Sequence, residues 1–406
     1  MSRRGRWPAL HLIGIALAVT VFLFSWVFLG QSFYGRYAKT DTQSNDTVVY
    51  QGYAQAVGDG KVPYRDFSLV YPPGALPVLL GPEAVARSGD LGSYRRWFAR
   101  LMAACGVLCV LLVIAARASP FAVAFVAVSP LLVGSLLLQR FDLWPAALLA
   151  ASVAAFVRDR HSLGWAALGA AVSAKLFPVV LVPLAIVWTL RRAGAGALRR
   201  GLLVCGALVA ASFVPFAVLA PHGLWESVRG QVWRAIQVES LIGTMLMVLG
   251  HRANKDSLGA AGIAGHGTLA AVSTMVEVAV LIALWVGFAR GEMEPNRLTR
   301  FFAASVCAFI VLGKVLSPQF LIWLIPLVPL VRGRRGLVAT GLLTAAVTTT
   351  QWYYPARYGD VINLHLAWVV LARNLMLVVL IAVLALPSGW ASKTAGGLLR
   401  RHPAEE

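Results

Sequence analysis

Apolar residues run through this chain in blocks long enough to cross a bilayer, and polar residues are confined to the short stretches between them. The first such block falls near 11–31, in the run "LHLIGIALAVTVFLFSWVFLG". Its unbroken run can satisfy its backbone hydrogen bonds in lipid only as a helix, whereas a membrane barrel would need short alternating strands. Further blocks fall near 97–116, 119–138, 142–157, 162–175, 177–190, 200–220, 267–288, 301–315, 318–331, 336–350 and 366–386, which predicts about twelve spans. The stretch from Gly164 to Leu190 also reads as one long helix kinked at Pro178, a choice that would invert everything after it. The expected class is all-α, a polytopic integral membrane protein.

Composition agrees: 59% of the 406 residues are hydrophobic, only 13% are charged, and the mean hydropathy is +0.73. The net charge of +19 would suggest nucleic acid if it were concentrated in one domain, but Lys and Arg are scattered in small clusters between apolar runs. Topology explains that pattern better. Cys105, Cys109, Cys205 and Cys307 all lie inside apolar runs, where buried structural thiols are expected and neither disulfides nor a metal site is.

Charge also orients the chain. The start, "MSRRGRWPALHLIG", has a basic flank, but the apolar part is too long for a signal peptide and lacks a small-x-small cleavage site, so it reads as an uncleaved first helix. With the N-terminus cytoplasmic, the cytoplasmic connections become "ARAS" (116–119), "RDRH" (158–161), "RRAGAGALRR" (191–200), "ARGEMEPNRLTR" (289–300), "RGRR" (332–335) and a C-terminal tail containing "SKTAGGLLRR". Every one carries Arg or Lys. Two exterior loops, 32–96 and 221–266, are long. "PPGALPVLLGPEAVA" within the first is too short and too broken by proline to cross, and reads as a juxtamembrane helix. Residues 1–406 read as one integral-membrane domain.

The first exterior loop holds Asp41, Asp46, Asp59, Asp66, Glu83 and Asp90, with Tyr50, Tyr53, Tyr64 and Tyr71. A general base is best sought there. "NDTVVYQGYAQAV" starts like a helix, so Asp46 reads equally as an N-cap and as a base. The following "GDGKVPYRDFSLVYPPG" is a structured turn region, with Pro72-Pro73 holding an extended segment. A second group falls at helix ends on the same side: Arg140 and Asp142 in "QRFDLWP", Lys175 in "SAKLFP", Lys314 and Gln319 in "KVLSPQ", and Arg373 in "LARNL". Snorkelling explains any one such cation. Several on the side where orientation rules expect few point to a phosphate-bearing substrate. Glu277 lies inside a span, as half of a structural pair or as a functional group.

Taken together, Asp46 with Tyr50 four residues on, "GKVPYRDFSLVYPPG", "RFDLWPA", "AKLFP" and "SPQFLIWLIPL" resemble the bacterial polytopic glycosyltransferases of the GT-C superfamily, most closely glycosyltransferase family 87. The resemblance covers nearly the whole chain, and the first loop is its most specific part. It implies transfer of a sugar from a polyprenyl-phosphate carrier to an acceptor on the outer face of the cell membrane, with a first-loop carboxylate as base. Asp46 falls on the base position, Tyr50 on its motif partner, and Tyr64, Arg65, Asp66 and Tyr71 on the loop signature. Lys175 and Gln319 fall on later motifs, and Asp41 is near enough to compete as base.

This reading expects an inverting hexosyltransferase with polyprenyl-phosphate mannose as donor and arabinofuranose as the second choice of sugar. The expected acceptor is a lipid-linked or cell-wall glycan. Arg140, Lys175, Lys314 and Arg373 are candidates to meet the phosphate. No metal or other cofactor is indicated, although some members of the superfamily use a divalent ion. No nucleic acid partner is expected. The alternative is a lipid-linked sugar flippase or transporter centred on Glu277, which should show inverted repeats and broken helices at midplane.

Overall fold

The computed structural model describes residues 9–36, 46–86, 89–255 and 261–386. Asp41, the residue before Asp46 and the basic C-terminal tail lie outside them. The described chain is helical, 79% helix against 2% strand, which makes it all-α. Among the described residues, five helical stretches have the length and apolarity to cross a membrane: Leu12–Ser32, Leu91–Ala115, Phe177–Leu219, Gly267–Ala289 and Ala367–Ala385. The protein is therefore a helical membrane protein.

The first helix, α1 (Ala9–Arg36), is followed by the polar segment containing α2 (Asp46–Gly58), a 3₁₀ turn at Pro73–Ala75 and α3 (Leu76–Ala86). Then come α4 (Leu91–Ala115), α5 (Pro120–Val133), the single turn α6 (Leu136–Gln139), α7 (Leu143–Val157) and α8 (His161–Ala174). Helix α4 begins six residues before the apolar block suggests, because Asp90 caps it by accepting from Ser93 N–H at 2.6 Å.

After α8 the chain is extended at Lys175, turns through a 3₁₀ segment at Phe177–Leu181 and enters α9 (Val182–Leu219). Helix α9 is two helices meeting at Gly194, whose φ of 79° suits glycine. Trp165 of α8 donates to Thr189 Oγ1 at 3.0 Å, while Trp165 and Gly169 also abut Gly201 and Cys205. α8 thus runs antiparallel to the first half of α9 and parallel to the second. Separate helices, and not one helix kinked at Pro178, connect Gly164 to Leu190.

The 221–266 loop is more structured than its sequence suggests. It contains α10 (Pro221–Val232), α11 (Leu241–Val248) and three short antiparallel strands, β1 (Ile236–Gln237), β2 (Asn254–Lys255) and β3 (Ala261–Ile263), in the order β1-β3-β2. The chain continues through α12 (Gly267–Ala289), α13 (Pro295–Leu312), α14 (Gly333–Tyr353), α15 (Tyr358–Ile362) and α16 (Ala367–Ala385). The apolar block at 318–331 forms 3₁₀ turns, Pro318–Leu324 and Val328–Leu330, instead of an α-helix. Pro318, Pro326 and Pro329 each lack an N–H, which removes the i→i−4 bonds an α-helix would need.

The connections sort to two ends of this bundle. At the arginine-rich end, Arg332 donates to Arg117 O at 3.0 Å, Arg192 grips Asp159 at 2.7 and 2.8 Å, and Arg191 binds Ala289 O at 2.8 Å and Gly291 O at 2.9 Å. The first polar segment folds onto the other end. Gly74 permits its closest approach: a Cβ there would sit 2.5 Å from Ser173 C and 2.6 Å from Ser173 O of α8. Trp144 of α7 also donates to Gly74 O at 3.2 Å, and Gln231 of α10 to Val70 O at 3.1 Å. Because backbone opposes that Cβ, Gly74→Ala is expected to destabilise by about 1–3 kcal/mol, read as a lowered midpoint of thermal unfolding in detergent.

Candidate active site

Helix α2 opens with Asp46, so its carboxylate sits at the positive end of the helix dipole. Asp46 Oδ2 accepts from Tyr50 Oη at 3.3 Å and Tyr71 Oη at 3.4 Å, and forms an ion pair with Arg140. Tyr50 belongs to the same helix one turn on. Tyr71 arrives from the extended segment that ends in the Pro72-Pro73 turn, held in part by Tyr64 Oη donating to Tyr71 O at 2.6 Å. Burial pushes the Tyr50 and Tyr71 hydroxyls far above their ordinary value, so both remain donors to Asp46 across the working pH range. Arg140 follows the α6 turn and also donates to Tyr354 Oη at 3.2 Å.

A second acid–base pair lies beside the first. Lys175 Nζ meets Asp142 Oδ1 at 2.6 Å, and Trp323 Nε1 donates to the same oxygen at 2.7 Å. The Lys175 ammonium is 4.9 Å from the Phe141 ring, 5.2 Å from Phe320 and 4.9 Å from Trp323, an aromatic enclosure that favours a cation. Phe141 separates the two pairs, with Tyr71 and Tyr50 edge-on to it at 5.0 and 5.9 Å and Lys175 near its ring. Arg234, just beyond α10, acts electrostatically on both Tyr71 and Lys175. Trp323→Phe removes one of the donors to buried Asp142, so a loss of about 1.5–3 kcal/mol is expected, measurable by thermal unfolding.

The structure thus brings together Asp46, Tyr50, Tyr71, Arg140, Asp142 and Lys175. Other carboxylates of the first segment serve the fold. Asp66 accepts from Val62 N–H at 2.7 Å and pairs with Arg65 at 2.9 Å. Its hydrogen bonds with Arg65 first, then with Val62, hold it down to about 2. Glu83 accepts from Gln51 at 3.1 Å, and Asp90 is the cap of α4. Tyr64, Arg65 and Asp66 accordingly shape the turn that presents Tyr71.

Lys314 and Gln319 sit further along the same end. Lys314 O accepts from Gln237 N–H at 2.9 Å, the Lys314 charge acts on Glu277, and Gln319 is half-buried in the 3₁₀ turn next to Phe320. Arg373 is fully enclosed on α16. It donates to Glu239 Oε2 at 3.1 Å and to Tyr353 Oη at 3.0 Å, so its charge is met inside the protein. Among the described residues, no group of three or more His, Cys, Asp or Glu side chains could hold a metal ion.

Sequence reasoning missed Phe141, Phe320, Trp323, Tyr354, Arg234 and Glu239. Phe141 and Trp323 stood inside quoted motifs, but an aromatic among apolar residues gives no sign that a lysine from elsewhere will lie against it. Glu239 did carry a signal, as the one charged residue in "QVESLIG".

Fold and site define a helical membrane protein with a carboxylate, two tyrosines and a cluster of cations at one end of its bundle. No protein-family model matches the chain, and no curated protein matches it.

Proposed function

We propose that this chain is a GT-C-type membrane glycosyltransferase, a hexosyltransferase that moves mannose from a polyprenyl-phosphate donor to a lipid-linked or cell-wall glycan at the exterior face. The observation that carries the reading is the Asp46 carboxylate, aimed by Tyr50 and Tyr71 and shared with Arg140, at the end of the bundle opposite the arginine-rich connections. The positive-inside rule then supports a cytoplasmic location for that arginine-rich end and an exterior location for the site. Counted with the short apolar segments and the two halves of α9, the chain makes twelve passes as one domain, both termini cytoplasmic.

In this reading Asp46 takes the proton of the acceptor hydroxyl as its oxygen attacks the anomeric carbon. The bond from that carbon to the phosphate oxygen breaks, and polyprenyl phosphate leaves with the electron pair, inverting the centre. Arg140, Lys175 and Arg234 supply a positive field for the leaving phosphate. Arg140 holds the base in place until the donor phosphate competes for it, which couples donor binding to release of Asp46.

Purified protein in nanodiscs with labelled polyprenyl-phosphate mannose and a membrane glycolipid extract is expected to yield a labelled glycolipid. Donor that crosses the bilayer of proteoliposomes without transfer would replace this reading with the flippase.

A further inference from the structure

At the arginine-rich end, far along the bundle from Asp46, a cavity of about 480 Å³ opens between α12, α13 and α16, lined by Val280, Leu284, Arg297, Arg300, Phe301 and Ile381 among others. Its chemistry is two-sided. One wall is aliphatic and aromatic, and Ala283, which also lines it, is exposed on the outer face of α12. That face carries the exposed apolar residues Val276, Ile282 and Val286, as a lipid-facing helix should. The other wall is a pair of arginines, with Arg335 of α14 close enough to act on Arg300.

These arginines have structural duties that use only part of each guanidinium. Arg297 donates to Gly287 O at 2.5 Å, and Arg300 donates to Leu384 O at 3.0 Å and Leu386 O at 3.2 Å. Both thereby cap the C-terminal turns of α12 and α16. Arg297 Nε and Arg335 Nη1 are nevertheless buried without an acceptor. Among the described residues none of the three forms an ion pair with a carboxylate, and the neighbouring acids Glu292 and Glu294 are exposed. Arg297 also stands in the first turn of α13, where the helix dipole is already positive and the N-cap acid, Glu294, is exposed and makes no side-chain cap bond.

We propose that this cavity binds the phosphate headgroup of an anionic membrane phospholipid, with Arg297 and Arg300 facing the phosphate, Arg335 adding its charge from α14, and the apolar wall facing the first part of an acyl chain. A free phosphate would satisfy the arginines but leave Val280, Leu284 and Ile381 against water. A zwitterionic lipid would bring a further positive charge, its own ammonium, into a cluster of arginines. The anionic lipid is the occupant that matches both walls. The proposal does not depend on the transferase reading.

The test reconstitutes the full-length protein in nanodiscs of phosphatidylglycerol and phosphatidylcholine in equal parts and counts retained lipids by native mass spectrometry. Wild type is expected to retain phosphatidylglycerol preferentially. Arg297→Gln and Arg335→Gln should each reduce retention about fivefold, the effect of one juxtamembrane arginine, and Arg335→Lys should restore most of it. Arg335→Gln leaves the capping bonds of Arg297 and Arg300 intact, so its result stands even if Arg297→Gln fails to fold. Equal retention of the two lipids by wild type, or undiminished retention in Arg335→Gln, would overturn the proposal. Displacement of the lipid by millimolar glycerol phosphate or inorganic phosphate would also overturn it, by making the site one for a soluble phosphate.

Discussion

Asp46→Asn is expected to lower sugar transfer by roughly 10²–10⁴-fold in a protein that remains folded. The amide keeps the shape of the carboxylate and can still accept from Tyr50 or Tyr71, but it cannot take a proton at neutral pH. The lost ion pair with Arg140 should reduce stability by about 1–3 kcal/mol, which thermal unfolding in detergent would separate from the loss of chemistry. Tyr50→Phe and Tyr71→Phe provide the companion measurement. Each removes a hydroxyl that donates to Asp46, a bond that favours the ionised carboxylate. Without it the carboxylate holds its proton to higher pH, so the acid limb of the pH–rate profile should move upward. The tyrosines themselves are pushed far above their ordinary range by burial and should contribute no alkaline limb. Full transfer by Asp46→Asn would remove Asp46 from the chemistry. Asp142, locked to Lys175 and Trp323, would be a poor replacement.

What the sequence shows of this arrangement depends on how local its causes are. Helix α2, the Pro72-Pro73 turn and α3 follow from nearby signals: an acid at a helix start, glycines at a bend, prolines that fix an extended segment. The break at Gly194 is legible in "RRAGAGALRR" for the same reason. The 3₁₀ path of Pro318–Leu330 is not, because hydropathy cannot tell a buried helix from a buried series of turns, and only the three prolines hint at it. The short strands β1–β3 carry too few residues to show any period.

The site is legible as an inventory and not as a set of pairs. Asp46, Arg140, Asp142 and Lys175 are each conspicuous as polar residues beside apolar runs. Which acid meets which base is decided by helix packing across long separations, such as the 33 residues between Lys175 and Asp142. Proximity in sequence misleads here: Arg140 pairs with Asp46 and not with Asp142, whose carboxylate is taken by Lys175 and Trp323.

The largest stability effect is expected at a pair outside the immediate site. Arg373 is 0% exposed and Glu239 2% exposed, and removing one partner strands the other. Arg373→Met should therefore cost about 3–5 kcal/mol. Glu239→Gln in the same background removes the stranded charge while keeping an acceptor for Tyr353 Oη, now 2.8 Å from the carboxylate, so the double variant should recover much of that loss. A cycle in which the two changes merely add would show that the charges do not stabilise each other. The pair also bears on the site. Asn374 adjoins Arg373 in sequence and donates to Glu239 O at 3.0 Å, and Tyr358 is near enough for its hydroxyl and the Glu239 carboxylate to act on each other electrostatically. Tyr358 in turn packs edge-on against Tyr354 at 5.4 Å, the residue that receives Arg140. Loosening Glu239 should therefore free Tyr354 and let Arg140 drift from Asp46. In the transferase reading Arg373→Met then loses turnover even below its unfolding temperature, whereas the double variant regains both.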